Sequence, residues 1–293
     1  MSGASRDRCP SATAARGVDR PRARPDVPAG GTVALPAMHP AFVPFARWWT
    51  PGAASRLPDL DRLNRWARSA ALALPDGRPL SFVAAPAARP SAQDYERRIA
   101  ERGEVLTRPD NLHDVCNALV WLAFPRTKAA LTAIHVAAPR AGSGNKRDRA
   151  RDAATLLDES GMLVACADAS LVGLWTARRW REAFRDRRDD IFASMRAVAI
   201  GHGLLAKLVA PFPAITAKVL VLPLAAAALP ERTAALVAAL DAAAAAEVGA
   251  RGAALAPADL LPLPVAALPG WDCEGRGAEL FDDATVFRPR MLR

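Results

Sequence analysis

The spacing of apolar and polar residues predicts helices over much of this chain. Residues 58–70 place Leu60 and Leu63 on one face behind two early aspartates, and residues 91–103 begin with a serine and end with a glycine. A serine before the first turn and a glycine after the last are typical helix boundaries. Residues 108–136 predict two more helices that meet at Pro125, because proline fits the first helical turn, where its missing N–H group is not needed.

Short apolar runs between the helices predict strands, since their length and character favour buried strands. These runs cover residues 79–86, 104–107, 162–167, 195–200 and 216–223. Further helices are predicted at residues 149–160, 170–187 and 231–248, and another begins with the sequence GHGLLAKLV. The fold class that follows is α+β and mainly helical, a single domain with a helical hairpin core and a few short strands.

The first 37 residues differ in composition from the remainder. They are rich in Arg, Pro, Ala and Gly, and they lack the apolar segment that a secretory signal peptide needs. We therefore expect residues 1–37 to be a disordered leader, with Met38 as an alternative start of translation. Residues 38–293 are expected to form the single globular domain.

The chain is basic, with a net charge of +9 and a pI near 10.3, which invites a nucleic-acid function. However, Asp and Glu alternate with the arginines in the most basic run, Arg178–Asp190. Such mixing is typical of a solvated helix face rather than a groove that follows phosphates. Nucleic acid is therefore a poor candidate partner.

Membrane insertion and cysteine chemistry are not favoured either. The most apolar tract, Val219–Leu229, is short and contains Pro223, whereas a span needs about 20 apolar residues. The four cysteines are far apart in the chain and form no CxxC pair, so neither a structural zinc site nor a disulfide framework is expected. We expect a cytoplasmic protein without membrane contact.

The predicted helical hairpin carries polar residues that could form a site. His113 and Asn117 share one face of its first helix, with Asp114 beside them, and Lys128 and His135 share a face of its second helix. Residues at equal distances from the turn should face each other. This predicts His113 near His135, and Asn117 near Thr132.

The next helix adds carboxylates. If it packs on the hairpin, two imidazoles and several carboxylates converge, which is a ligand set for Zn, Mn, Fe or Mg, or a pair for general acid–base catalysis. The predicted metal ligands are His113, His135, Asp152, Asp158 and Glu159, and the predicted catalytic residues are His113, Asp114 and His135. A divalent metal ion is the candidate cofactor.

A small anionic ligand is the candidate substrate. His202 lies between two glycines at a predicted strand-to-helix junction, where free backbone N–H groups favour anions and glycines allow close approach. The same glycines equally suit a tight turn. The predicted substrate-binding residues are Asn117, Lys128, Arg149, Arg151 and His202.

Several long segments of the chain resemble DUF3025, a bacterial family of unknown function. They include RPDNLHDVCNALVWLAFPRTKAALTAIH, RDAATLLDESG, IGHGLLAKL and PGWDCEGRGAELFDDATVFRP, and the resemblance extends over about residues 42–289. The resemblance implies that the following residues form a site: Asn111, His113, Asp114, Asn117, Trp121, Pro125, Lys128, His135, Arg151, Asp152, Asp158, Glu159, Gly201 and His202. The chain departs from the pattern at Leu112, Thr132 and Gly203, where Trp, Asn and Ala are expected. The Thr132 change weakens any essential ligand role at that position.

Two functions stay open at this level. The leading hypothesis is a metal-dependent hydrolase with a His/Asp/Glu site, acting on a phosphorylated or acyl substrate. The alternative is a non-catalytic module that binds nucleic acid or a protein partner, in which the same polar residues form a structural network. Histidines on helices and Asp/Arg pairs are common in such networks.

Overall fold

The computed structural model describes residues 39–49, 56–88, 90–137 and 146–288. The predicted leader, residues 1–37, lies outside these ranges, so it stays a prediction. The described chain begins with a short 3-10 helix, Pro40–Phe45, in which Phe42 and Phe45 are buried.

The first part of the fold contains a parallel pair of strands connected by a helix. Helix α1 (Leu60–Ser69) precedes β1 (Ser81–Ala84), α2 (Ala92–Arg102) and β2 (Glu104–Thr107). The strands pair in parallel with Ser81 opposite Glu104. The predicted helix starts are confirmed, because the side chains of Asp59 and Ser91 accept hydrogen bonds from the first turns of α1 and α2.

The predicted hairpin is present as α3 (Leu112–Ala123) and α4 (Pro125–Ala137), followed by α5 (Lys146–Ser160). Pro125 begins α4, as its position predicts. The two hairpin helices pack mainly on different neighbours. Helix α3 lies against the short helix α8 (His202–Leu208), whereas α4 lies against α2, α5 and the long helix α9 (Thr233–Arg251).

A four-stranded sheet forms the second part of the core, with strand order β4-β3-β5-β6. Its strands are β3 (Gly161–Cys166), β4 (Met195–Ala199), β5 (Thr216–Leu222) and β6 (Leu261–Pro264). Strand β3 is buried throughout and pairs antiparallel with β4 and parallel with β5. The apolar run at residues 162–167 therefore predicted the central strand correctly.

Two features of this second part differ from the sequence prediction. Residues 170–187 do not form one helix but α6 (Ala169–Thr176) and a π-helical turn (Arg181–Asp186), followed by α7 (Arg188–Ser194). At this break the buried Trp180 packs against Phe184 and Phe287. Strand β6 was not predicted, because its sequence LPLP contains two prolines, which sheets tolerate at an edge.

Helix α9 is anchored to the start of α4 through Asp241. The Asp241 carboxylate accepts hydrogen bonds from the backbone N–H groups of Arg126 (3.1 Å) and Thr127 (2.8 Å) and from the Thr127 hydroxyl (2.7 Å). Residues 233–254 are long and apolar enough to cross a membrane by length and composition alone. One face of α9 packs into the protein through Leu240, Ala244 and Val248, and 28% of its most apolar window is buried.

The structure is thus a mixed α/β fold that is mainly helical, as predicted. Its helices α2, α3, α4, α5 and α8 surround the polar residues described next.

Candidate functional site

Three side chains from three helices meet at one point. His113 lies in the first turn of α3, Glu159 in the last turn of α5 and His202 at the first position of α8. One nitrogen or oxygen atom from each lies within 4.8 Å of the other two. Glu159 stands between the imidazoles, with Oε2 3.3 Å from His113 Nε2 and Oε1 3.5 Å from His202 Nε2.

Strand pairing brings Glu159 and His202 together. Helix α5 ends where β3 begins, and α8 begins just after β4 ends. Because β3 and β4 are antiparallel neighbours, with Met162 opposite Ala199, the end of α5 and the start of α8 lie at the same end of the sheet. Helix α3 packs on α8 and supplies His113.

The two glycines beside His202 allow this close approach. A Cβ atom at Gly201 would lie 2.3 Å from the Gly161 nitrogen and 2.6 Å from the Ser160 carbonyl carbon. A Cβ atom at Gly203 would lie 2.5 Å from Glu159 Oε2 and 2.9 Å from the Glu159 carbonyl oxygen. The GHG sequence is therefore explained by the contact of α8 with the end of α5.

The outer imidazole is supported by an ion pair. His113 Nδ1 lies 3.3 Å from Asp114 Oδ1. The Arg108 guanidinium donates to both oxygens of Asp114 through Nε (2.9 Å) and Nη2 (2.7 Å). Asn111 holds the start of α3 by accepting the Asp114 backbone N–H. This gives a chain of contacts from Arg108 through Asp114 to His113.

The inner imidazole has a matching arrangement. His202 Nδ1 lies 3.7 Å from Asp158 Oδ2, and it is buried without a hydrogen bond. Lys128 Nζ donates to Asp158 Oδ1 at 2.5 Å and to Asn117 Oδ1 at 2.8 Å. Asn117 in turn donates to the Tyr95 hydroxyl at 3.0 Å. Each imidazole therefore directs Nε2 to Glu159 and Nδ1 to a carboxylate that a cation neutralises.

These contacts alter the pKa values of the groups. Hydrogen bonds to Asp114 and Glu159 raise the pKa of His113 to about 9. Hydrogen bonds from His113 and His202 hold the pKa of Glu159 well below its usual range. Burial would raise the pKa of Asp114, but the hydrogen bonds from Arg108 and His113 outweigh it and lower that pKa.

Asp158 follows the same rule on the inner side. Burial opposes its ionisation, but the charges of Lys128 and His202 outweigh burial, so the pKa of Asp158 is lowered. Asp114 is thus paired with Arg108, and Asp158 is paired with Lys128. Glu159 instead contacts the two histidines. The neighbouring Glu96 has a different environment, with a hydrogen bond from the Thr132 hydroxyl.

A protein-family model described as a protein of unknown function, DUF3025, matches residues 80–291. The match covers most of the chain and every residue of this site. The chain belongs to the DUF3025 family. No curated protein and no solved structure gives a match.

The DUF3025 site contains some of the predicted residues and not others. Seven of the predicted residues lie in the contact network: His113, Asp114, Asn117, Lys128, Asp158, Glu159 and His202. His113 contacts His202 rather than His135, and Asn117 contacts Lys128 and Tyr95. Asn117 thus meets α4 through Lys128, whereas the Thr132 hydroxyl donates to Glu96. Among the described residues, no hydrogen bond, ion pair or ring contact joins His113 to His135 or Asn117 to Thr132.

His135 and Asp152 lie outside the group that could hold an ion. His135 makes no hydrogen bond within the described ranges, and burial, more than nearby charges, lowers its pKa. Asp152 is exposed on α5, two turns before Glu159, a rise of about 10 Å along a helix. That rise is too long for both carboxylates to bind one ion.

The predicted anion-binding residues are also distributed differently. Lys128 is already bound to Asp158 and Asn117, so its charge is neutralised within the protein. Arg149 is exposed, and Arg151 lies near enough to His135 to lower its pKa. His202 belongs to the three-residue cluster rather than to a separate anion site.

Three members of the network were missed by the sequence analysis, namely Arg108, Tyr95 and Glu96. Arg108 lies in the loop before α3, and the other two lie on α2. Tyr95 is the only tyrosine in the chain, and this rarity could have drawn attention to it. No local pattern marks the other two.

The arginine-rich segment is largely neutralised by acids. Arg187 pairs with both Asp168 and Asp190. Three further pairs are Arg179 with Glu182, Arg181 with Asp282, and Arg185 with Asp186. These pairs leave less free positive charge for phosphate groups than the sequence run suggests.

Proposed function

We propose that His113, Glu159 and His202 bind a divalent metal ion and that this DUF3025 protein is a metal-dependent hydrolase. The orientation of the two imidazoles carries the proposal. Each turns Nε2 towards Glu159 and Nδ1 towards a carboxylate, Asp114 or Asp158. Histidines that bind metals commonly have such a carboxylate on the second ring nitrogen, which fixes the tautomer and increases ligand basicity.

The spacing of the ligand atoms supports the proposal. With bonds near 2.0–2.1 Å, ligand atoms of a tetrahedral zinc site lie about 3.4 Å apart. His113 Nε2 lies 3.3 Å from Glu159 Oε2 and His202 Nε2 lies 3.5 Å from Glu159 Oε1, and one ligand atom from each of the three residues lies within 4.8 Å of the other two, so closure around an ion needs only a small movement of side chains. Two histidines and one glutamate also leave a coordination position open, as in catalytic zinc sites.

The exposure of the cluster suits access by a substrate. The side chains of His113 and Glu159 are 40% and 47% exposed, whereas that of His202 is only 7% exposed. The cluster is therefore anchored on the His202 side and open on the other. A bound metal ion would supply Lewis acidity and an activated water, while Asp114 and Asp158 orient the two imidazoles.

Metal content tests the proposal directly. We expect about one divalent ion per chain in protein purified without chelators. His113→Ala and His202→Ala should lose the ion while circular dichroism stays unchanged. His135→Ala is the matched control, because it removes a nearby histidine outside the cluster, and it should retain the ion. Equal metal content in all four proteins, or none in the wild type, would overturn the metal site.

Hydrolysis is tested separately with chromogenic esters. Wild-type protein should cleave 4-nitrophenyl acetate or 4-nitrophenyl phosphate, lose activity with a chelator and regain it with Zn²⁺ or Mn²⁺. Metal-loaded protein that cleaves neither ester in a metal-dependent way would contradict the hydrolase function and leave the metal site standing.

A second candidate function is a binding module in which this cluster is a structural network. The observation that favours it is the position of His113 between Asp114 and Glu159, 3.3 Å from an oxygen of each, where hydrogen bonds raise its pKa to about 9. A protonated His113 would make a cation between two carboxylates, and the same distances suit a His–carboxylate–His bridge of hydrogen bonds. If the protein has this function, His113→Ala would lower the melting temperature and leave the metal content unchanged.

A further inference from the structure

Glu96 is a carboxyl group beside the cluster, and no residue in the described part of the chain supplies it with a cation of its own. It lies on α2, and its Oε2 accepts a hydrogen bond of 2.7 Å from the Thr132 hydroxyl on α4. Among the residues that the structure describes, no arginine, lysine or histidine forms an ion pair with Glu96. In this it differs from Asp114 and Asp158, which are paired with Arg108 and Lys128.

The charges around Glu96 do not stabilise its carboxylate form as a paired cation would. Asp158 on α5 adds a second negative charge nearby. Lys128 on α4 is the cation whose charge lowers the pKa of Glu96 most, but its Nζ donates to Asp158 and Asn117 instead. His202 on α8 acts on Glu96 only through its charge.

The remaining charged groups that could face Glu96 are paired or neutral. Tyr95 on the same helix has its pKa raised by burial, so its hydroxyl stays protonated. Burial lowers the pKa of His135 on α4. On the β2 side, Glu104 is paired with Arg98 at 2.6 Å. Burial and the charge of Asp158 together raise the pKa of Glu96 to about 7.

We propose that Glu96 is the proton-exchanging carboxyl group of this site, protonated in the metal-free protein near neutral pH and deprotonated when a cation binds to His113, Glu159 and His202. This inference rests on the proposed metal site. Two protons leave as the site gains a divalent cation. The Glu96 O–H bond breaks and releases one proton to solvent, and His113, which is protonated without metal, releases a second when its Nε2 binds the ion. The added positive charge favours the carboxylate form of Glu96.

Infrared spectroscopy tests this with the full-length protein and Zn²⁺ as the probe. The C=O stretch of a protonated carboxyl group should titrate with a midpoint near 7 and should be missing in Glu96→Gln. Glu101→Gln, which alters an exposed acid on the same helix, is the matched control and should keep the band. Saturating Zn²⁺ should move the midpoint down by about one pH unit or more.

Thr132→Val gives a second, independent measurement. It removes the hydrogen bond that stabilises the Glu96 carboxylate, so the midpoint should rise. In the metal-free wild-type protein, a titration midpoint of Glu96 below about 5, the ordinary range for glutamate, would overturn the inference. A midpoint near 7 that one bound Zn²⁺ per chain does not move would overturn the coupling and leave the metal site intact. Failure of Zn²⁺ to bind would overturn both.

Discussion

His113 and His202 meet edge to face, with ring centroids 4.4 Å apart and ring planes at 82°. They belong to α3 and α8, which are distant in the chain, and the carboxylate of Glu159 lies against both. The contact depends on the place where α8 begins, because the first turn of α8 lies directly on the junction of α5 and β3.

Gly201→Ala should therefore disrupt this junction. Its Cβ would meet backbone atoms of Ser160 and Gly161, and backbone cannot move aside as a flexible side chain can. We expect a loss of about 2–4 kcal/mol in the free energy of unfolding, measured by urea denaturation. Gly249→Ala is the control, because nothing lies within 4 Å of its Cβ position in α9. The control should gain about 0.5–1 kcal/mol from helix propensity. Equal effects of both changes would contradict this account of Gly201.

Lys128→Met should destabilise the protein by leaving Asp158 without its cation. The two side chains are only 7% and 16% exposed, and removing one partner of a buried ion pair costs about 3–5 kcal/mol. Adding Asp158→Asn should recover part of the loss, since the uncompensated charge is then gone. Urea denaturation of the two single variants and the double variant measures the coupling. Additive effects would show that the pair is not coupled.

Asp241→Ala should weaken the packing of α9 on α4. The first turn of α4 would lose the acceptor for the N–H groups of Arg126 and Thr127 and for the Thr127 hydroxyl. Loss of a capping acceptor costs about 0.5–2 kcal/mol, and stranded buried donors add to that. We expect a total of about 2–3 kcal/mol in thermal or urea denaturation. Asp152→Ala, at an exposed position, should change stability by no more than about 0.5 kcal/mol.

Stability should depend on pH through Glu96. Its pKa is raised from 4.5 to about 7 in the folded protein, so the folded state binds more protons than the unfolded state between these values. The free energy of unfolding should therefore fall as pH rises from about 4.5 to 7, and this contribution should level off above that range. Glu96→Gln should remove this slope. Parallel pH profiles for wild type and Glu96→Gln in urea denaturation would refute the prediction.

The sequence determined the local structure well where one physical signal dominated. Asp59, Ser91 and Pro125 marked helix starts correctly, and the apolar run of β3 predicted a buried strand. These signals act over a few residues, through capping hydrogen bonds and through the burial of a short apolar segment. The same local signals misled at residues 170–187, where the chain forms α6, a π-helical turn and α7 around the buried Trp180 and Phe184.

Only the tertiary structure decided which polar residues meet. Helical spacing places His113 and Asn117 on one face, but it does not say which helix that face contacts. The antiparallel pairing of β3 with β4 brings His202 to Glu159, and the packing of α3 on α8 brings His113 to the same point. Glu96 and Arg108 enter the network through contacts with Thr132 and Asp114. Such contacts depend on the packing of whole helices and strands, because the free energy of burying their apolar faces fixes the arrangement and the polar side chains follow it.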